Sequence, residues 1–247
     1  MSNNQLVISP VYNEEKYIEE FYQLLRESYK QDVIFIDDGS SDQSRDFLEK
    51  INGKSTFAIR HRKRRGYGAA LISGFEFAKD NNYEKIVTLD VDLQHRPKHI
   101  PDFFSNLDET DVVLGSRYIK MERCLDIPRE RFIINRYISK LIKLEFGWNF
   151  TDPFCGFRAY RTEFLKQISF TDTGYGLALE VLLEIINKEV KFSEFSVEAI
   201  YFKDKRKFLD GLDDARKRLT YYLSVISEKI KELYDKEEIP FHKPSSR

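Results

Sequence analysis

Cysteine is nearly absent. Cys124 and Cys155 are the only two in 247 residues, too few for a disulfide framework and without the Cys/His spacing of a zinc site, so a reducing, cytosolic compartment is the economical reading. Charge of either sign is not in surplus: 40 basic against 41 acidic residues leave −1, which removes a whole-chain case for nucleic-acid binding. No window approaches the roughly 20 apolar residues a spanning helix needs. The polar start Ser2-Asn3-Asn4-Gln5 runs straight toward a strand, so no secretory leader is expected. No Ser/His/Asp or Cys/His arrangement points to a covalent nucleophile. Neither an internal repeat nor a Gly-, Pro- or Ser-rich linker divides the chain, so one domain is expected over 1–235, with 236–247 as a flexible tail. With 41% apolar and 33% charged residues, the composition is that of a globular protein with a sizeable core.

Leu6-Val7-Ile8-Ser9-Pro10 is an apolar run closed by proline, and Val33-Ile34-Phe35-Ile36 is a second one ending in Asp37-Asp38-Gly39-Ser40-Ser41-Asp42. Between them Tyr17, Ile18, Phe21, Leu24 and Leu25 recur at helical spacing after Asn13, a candidate N-cap. A strand–helix–strand unit this short predicts a parallel sheet. A helix around 42–51, a strand near 57–59 and a helix through Ala78 extend the pattern. Residues 111–117 read as a strand, 128–147 as an amphipathic helix and 151–161 as a polar link. Residues 195–202 read as a final strand and 209–235 as a charged helix. The predicted class is α/β, a mainly parallel sheet with helices on both faces.

The stretch the rest is organised around is Ile86-Val87-Thr88-Leu89-Asp90-Val91-Asp92-Leu93-Gln94-His95. Residues two apart in an extended segment project to one side. Asp90 and Asp92 therefore share a side at the carboxyl end of a buried strand, where open α/β sheets place ligands. Carboxylates that close repel unless a cation lies between them. Asp-x-Asp also occurs in solvated turns, but the apolar strand before it favours the cation site.

His61-Arg62-Lys63-Arg64-Arg65, followed by Gly66-Tyr67-Gly68 at a helix start, suits a phosphate site or else a solvated loop. Without a third glycine it is no dinucleotide fingerprint. Arg117 ends a strand and is a candidate anion ligand. Helix 128–147 has a wide apolar face opposite Arg129, Arg131, Arg136, Lys140 and Lys143, which fits packing on the sheet or lying on anionic lipid. Glu180, an acid on an otherwise apolar helix, is either a paired core acid or a site residue. Four polar strand ends sharing one edge imply a pocket for a nucleotide diphosphate bridged by a divalent ion.

Val-Ile-Ser-Pro-Val-Tyr-Asn-Glu-Glu, then Ile-Asp-Asp-Gly-Ser-Ser-Asp, then Leu-Asp-Val-Asp-Leu-Gln-His resemble the family 2 glycosyltransferases of GT-A fold. The resemblance is to the branch of polyprenyl- and dolichyl-phosphate sugar (mannosyl or glucosyl) transferases. Gly-Ser-Arg-Tyr at 115–118, Gly-Phe-Arg-Ala-Tyr-Arg at 156–161 and, less specifically, Leu-Asp-Gly-Leu-Asp-Asp-Ala-Arg-Lys-Arg-Leu at 209–219 agree with it. It implies a three-layer sandwich with a Rossmann-like nucleotide-sugar-binding half over about 1–118 and an acceptor half with the C-terminal helix over 119–235.

In that resemblance Pro10, Tyr12, Glu14 and Asp38 line the nucleoside pocket and Asp37 braces its turn, with Gly68 toward the phosphates. Asp90, Asp92 and Gln94 hold Mg2+ or Mn2+. Arg117 and Arg131 bind an acceptor phosphate, Lys205 and Arg206 sit on a closing loop, and Glu180 stands beside the sugar. The implied catalytic set is Asp92, Arg117, Arg131 and Glu180. The implied reaction is inverting transfer of a hexose from a GDP- or UDP-linked donor to polyprenyl phosphate. The chain would be cytoplasmic, peripheral at the cytoplasmic face of a membrane through 128–147.

Two features depart from the branch: no transmembrane helices are appended, and the loop after Tyr118 lacks the usual glycines. A hydroxyl acceptor would instead need Glu180 or Asp152 as base. A non-catalytic nucleotide-sugar-binding module is the third reading, and the intact Asp90/Asp92 pair argues against it. A nucleotidyltransferase is disfavoured, because Pro-Val-Tyr-Asn-Glu stands where a phosphate loop belongs.

Overall fold

The structure, a computed structural model, describes residues 4–120, 124–201 and 208–235. Lys205, Arg206 and the tail 236–247 lie outside the described residues. In chain order the elements are β1 (Gln5–Val11), α1 (Ile18–Ser28), β2 (Asp32–Asp37), α2 (Ser44–Ile51), β3 (Thr56–Arg60), α3 (Tyr67–Asp80) and β4 (Lys85–Thr88). A 3-10 turn (Pro97–His99) then leads into α4 (Ile100–Asn106), β5 (Val112–Ser116), β6 (Cys124–Leu125), α5 (Arg129–Phe146), β7 (Arg158–Arg161) and α6 (Thr162–Lys166). The last elements are α7 (Leu177–Asn187), β8 (Phe192–Ser196), β9 (Ala199–Ile200) and α8 (Ala215–Asp235).

Seven strands form the main sheet in the order β3-β2-β1-β4-β7-β5-β8. All its pairings are parallel except those of β7, which runs antiparallel to both β4 and β5. Strand alternation sorts the apolar side chains to two faces. Ile8, Ile34, Ile86 and Leu114 pack on one side with Phe75 of α3, Ile138 of α5, Leu182 of α7 and Val225 of α8. Val7, Val33, Val87 and Val113 pack on the other with Phe21 of α1, Leu48 of α2 and Phe103 of α4. The expected three layers are present.

Three expectations are corrected. The link at 151–161 contains a central strand: β7 alternates Ala159 and Tyr160 onto opposite faces, and its flanking arginines hid it from an apolar-run reading. The final strand is broken at Val197, so β8 joins the main sheet while β9 pairs with β6 in a separate parallel ribbon. Asn13 does not cap α1, which begins at Ile18 after Tyr17. With φ of +55°, Asn13 instead turns its Oδ1 to accept the Ser41 N–H at 2.8 Å, tying the ends of β1 and β2 together.

Candidate active site

Past the end of β4 one more bond to β1 is made, Leu89 N–H donating to the Ile8 carbonyl at 3.1 Å, before the chain bends over 91–95. Leu89, Val91 and Leu93 enter the core, while Asp90, Asp92 and Gln94 line a cavity on the other side. The tyrosine hydroxyl of Tyr67 donates to Asp90 Oδ1 at 3.0 Å. Thr88 Oγ1 donates to the Gly156 carbonyl at 2.9 Å, drawing that glycine against the acids. A Cβ at Gly156 would stand 2.6 Å from Asp90 Oδ2, so only glycine leaves that oxygen room. Asp92 Oδ1 accepts the Gln94 N–H at 3.1 Å across Leu93, whose φ of +59° holds the turn that brings Gln94 back to the cavity. For a leucine that conformation costs about 1–3 kcal/mol.

His95 Nδ1 donates to the Glu198 carbonyl at 2.9 Å, leaving Nε2 to accept from the Cys155 thiol at 3.6 Å. Burial and the Arg117 charge lower the His95 pKa, and burial pushes the Cys155 thiol up to about 12. The pair is thus a neutral imidazole and a neutral thiol beneath the acids. Two carboxylates and an amide oxygen form a hard donor set with room kept open at Asp90, which fits Mg2+ or Mn2+ completed by phosphate oxygens and water. Among the described residues no cluster of three or more His, Cys, Asp or Glu side chains is arranged for a metal.

Arginines supply the rest of the cavity's charge. Arg117 forks onto Asp152, with Nε to Oδ2 at 2.6 Å and Nη2 to Oδ1 at 2.8 Å, and its Nη1 donates to the Tyr201 hydroxyl at 2.7 Å. Asn135 of α5 adds a 2.7 Å bond to Asp152 Oδ1. Burial alone would raise the Asp152 pKa, but the Arg117 guanidinium holds it below the usual range. Arg158 donates to the carbonyls of Cys155, Ala178 and Pro153 at 2.8, 3.0 and 2.6 Å. Arg131 of α5 lines the cavity with its guanidinium 4.5 Å from the centre of the Phe208 ring.

The remaining expected residues fall in three places. Pro10, Tyr12, Glu14, Asp37 and Asp38 stand at the ends of β1 and β2, and none of them lines this cavity. Asp37 accepts the Ser40 N–H at 2.7 Å and pairs with Arg60 at 2.7 Å, bracing the turn. Asp38 is engaged by His61 Nδ1 at 2.7 Å and by the N–H groups of Arg65 and Gly66 at 2.8 Å, so its carboxylate orders the 61–66 segment. Gly68 does not face an open phosphate site. A Cβ there would meet the Gly174 carbonyl oxygen at 2.7 Å, and the glycine serves the close packing of α3 on that loop.

Glu180 is likewise a brace. It accepts the Thr171 and Asp172 N–H groups, the latter at 3.1 Å, and the Thr171 hydroxyl, and it is not among the cavity's lining residues. Burial raises its pKa despite those donors. Composition and spacing gave no signal for the roles of Tyr67, Gly156, Tyr175 and Arg218, all of which line the cavity. The 156–161 motif contained Gly156 and Arg158 without saying what either touches.

A family model described as glycosyl transferase family 2 matches residues 6–169. An uncharacterized protein of Methanocaldococcus jannaschii is 32% identical over 216 residues, 83% of this chain and 91% of its own. The undecaprenyl-phosphate mannosyltransferase of Micrococcus luteus is 29% identical over 182 residues, 71% of this chain and 75% of its own. Among solved structures, glucosyl-3-phosphoglycerate synthase from Mycobacterium tuberculosis, in complex with Mn2+, uridine diphosphate and phosphoglyceric acid, superposes with a TM-score of 0.70. That pair shares 17% identity over 92% of this chain and 78% of the other, a likeness of fold.

Asp152→Asn leaves the Arg117 guanidinium buried without its counter-charge, so denaturant titration should register a loss of about 3–5 kcal/mol. Because the native pKa of Asp152 is depressed, its stabilisation is complete above the ordinary carboxylate range and fades as pH falls through the native value. An unchanged midpoint at neutral pH would contradict the assigned pair.

Proposed function

The chain belongs to glycosyl transferase family 2, and on that premise we propose that it moves a hexose from a GDP- or UDP-linked sugar to a polyprenyl phosphate, with inversion and with Mg2+ or Mn2+. The observation that carries this reading is the charge layout of one cavity: Asp90, Asp92 and Gln94 on the sheet edge, Arg117 and Arg131 from β5 and α5. Asp90, Asp92 and Gln94 would hold the metal, which when bound neutralises charge on the departing nucleoside diphosphate. Arg131 takes the acceptor phosphate, while Arg117, fixed by Asp152, presents a second positive edge without freedom to swing.

A phosphate oxygen is already ionised near neutral pH, so direct displacement needs no strong base. That agrees with the state of the two carboxylates a hydroxyl acceptor would call on. Asp152 is held as a weak base by Arg117, and Glu180 is tied to the 171–172 turn away from the cavity lining. The name of the Micrococcus luteus relative supports the same acceptor class. Apolar walls at Leu71, Ile134 and Val181 limit water around the reacting centre.

Among the described residues no helix is long and apolar enough to cross a membrane. Helix α5 nevertheless exposes Ile133 (53%), Tyr137 (50%) and Leu144 (71%), beside exposed Arg136, Lys140 and Lys143. Apolar side chains among cations on a helix that also lines the cavity suit a peripheral contact with anionic lipid, where a polyprenyl phosphate resides.

Transfer should appear when GDP- and UDP-sugars are screened with a short polyprenyl phosphate and Mn2+ or Mg2+. It should vanish with chelator and fall by roughly a hundredfold or more in Asp92→Asn. Full turnover in chelator, or in that variant, would remove the metal-bridged scheme. In flotation with anionic vesicles the wild type should rise and Leu144→Asp should rise less. A wild type left at the bottom would rule out α5 as a lipid contact.

A further inference from the structure

Arg218 lies in the first turn of α8, is 3% exposed, and lines the cavity. Its Nη1 donates to the Leu212 and Asp213 carbonyls at 2.7 and 3.4 Å, while its Nη2 is buried with no hydrogen-bond partner. Buried donors without partners are rare, and a guanidinium nitrogen is among the costliest to leave so. The bland role, capping the turn before α8, uses one arm and leaves the other unexplained.

A second observation concerns what stands beside it. The guanidiniums of Arg218 and Arg131 both lie against the Phe208 ring, 4.6 and 4.5 Å from its centre. The ring face partly offsets their positive charge, but burial and the like charge of Arg131 still lower the Arg218 pKa. Arg117 is held by Asp152 and Arg158 by three carbonyls, so the donor left over on the cavity wall is Nη2 of Arg218. An anion bridging Arg131 and Arg218 would take up the orphan N–H and turn the repulsion into attraction.

We infer that Arg218 and Arg131, set against Phe208, form a clamp for the phosphate monoester of the acceptor, with Arg218 supplying the ligand from the C-terminal helix. This rests on the phosphate-acceptor reading above and adds the residue that grips the phosphate. The chemistry is shared by a lipid phosphate and by a small soluble phosphomonoester.

Calorimetry on the full chain with farnesyl phosphate, glycerol phosphate and farnesol tests it. The wild type should bind at least one phosphate and bind farnesol more weakly. A farnesyl-phosphate preference identifies a lipid source, and equal or better binding of glycerol phosphate a soluble one. Arg218→Met should weaken phosphate binding by roughly tenfold or more, the size of a lost charge-assisted pair. Arg218→Lys, which keeps a cation and a donor for the Leu212 carbonyl, should fold like the wild type in circular dichroism and still bind phosphate less tightly. In transfer assays the acceptor KM should rise while the donor KM moves by less than about twofold. Equal phosphate affinity in the wild type and both variants, or no phosphate binding by the wild type, overturns the clamp. Arg218-dependent phosphate binding without any transfer would instead overturn the transferase reading and leave the clamp standing.

Discussion

Two carboxylates placed on the same side of the segment that leaves β4 set the terms for everything around them. The alternation that sends Leu89, Val91 and Leu93 into the core leaves Asp90 and Asp92 no other direction. Rotating them away would unpack three buried apolar side chains, so the crowding is enforced by the core. The surroundings manage it locally: the Tyr67 hydroxyl donates to one acid, Gly156 keeps a side chain out of its way, and a left-handed leucine returns Gln94 to the same side.

The antiparallel insertion of β7 is what makes one cavity of two charge environments. Thr88 of β4 pairs in register with Arg158, and Leu114 of β5 pairs with the same residue, so the acidic strand end and Arg117 at the end of β5 sit two strands apart. The loop entering β7 carries Asp152, Cys155 and Gly156, and each meets a different neighbour: Arg117, His95 and Asp90. Helix α5 then contributes Asn135 to the Asp152 cluster and Arg131 to the open side. Arginines fixed by carboxylates and carbonyls stay put without ligand. Arg218, whose Nη2 has no hydrogen-bond partner, adds a further cation to the cavity wall.

The apolar runs of β1, β2, β4 and β5 were legible because hydrophobic burial is written directly into composition, and the acids after β4 followed from strand periodicity alone. Strand β7 was not legible: Arg158 is buried there because three carbonyls accept from its guanidinium, two from the bend just before the strand and one from Ala178 of α7, and neither the bend nor the approach of α7 is written in an apolar run. Gly68 misled for a related reason. A glycine that lets a loop backbone approach and one that lets a phosphate approach look identical until the Thr173–Gly174 loop is seen against it. Glu180 left two readings open, and its geometry favours the structural one. Arg218, one cation among many on a charged helix, became distinguishable only through its burial and its orphan nitrogen.

The central proposal is that Asp90 and Asp92, just past the end of β4, share a divalent ion with a nucleotide. Calorimetric titration of Mn2+ or Mg2+ into the protein with UDP or GDP present tests it most directly. The account predicts saturable binding that strengthens with nucleotide and is lost in Asp90→Asn. Absence of binding by both metals with both nucleotides would contradict it.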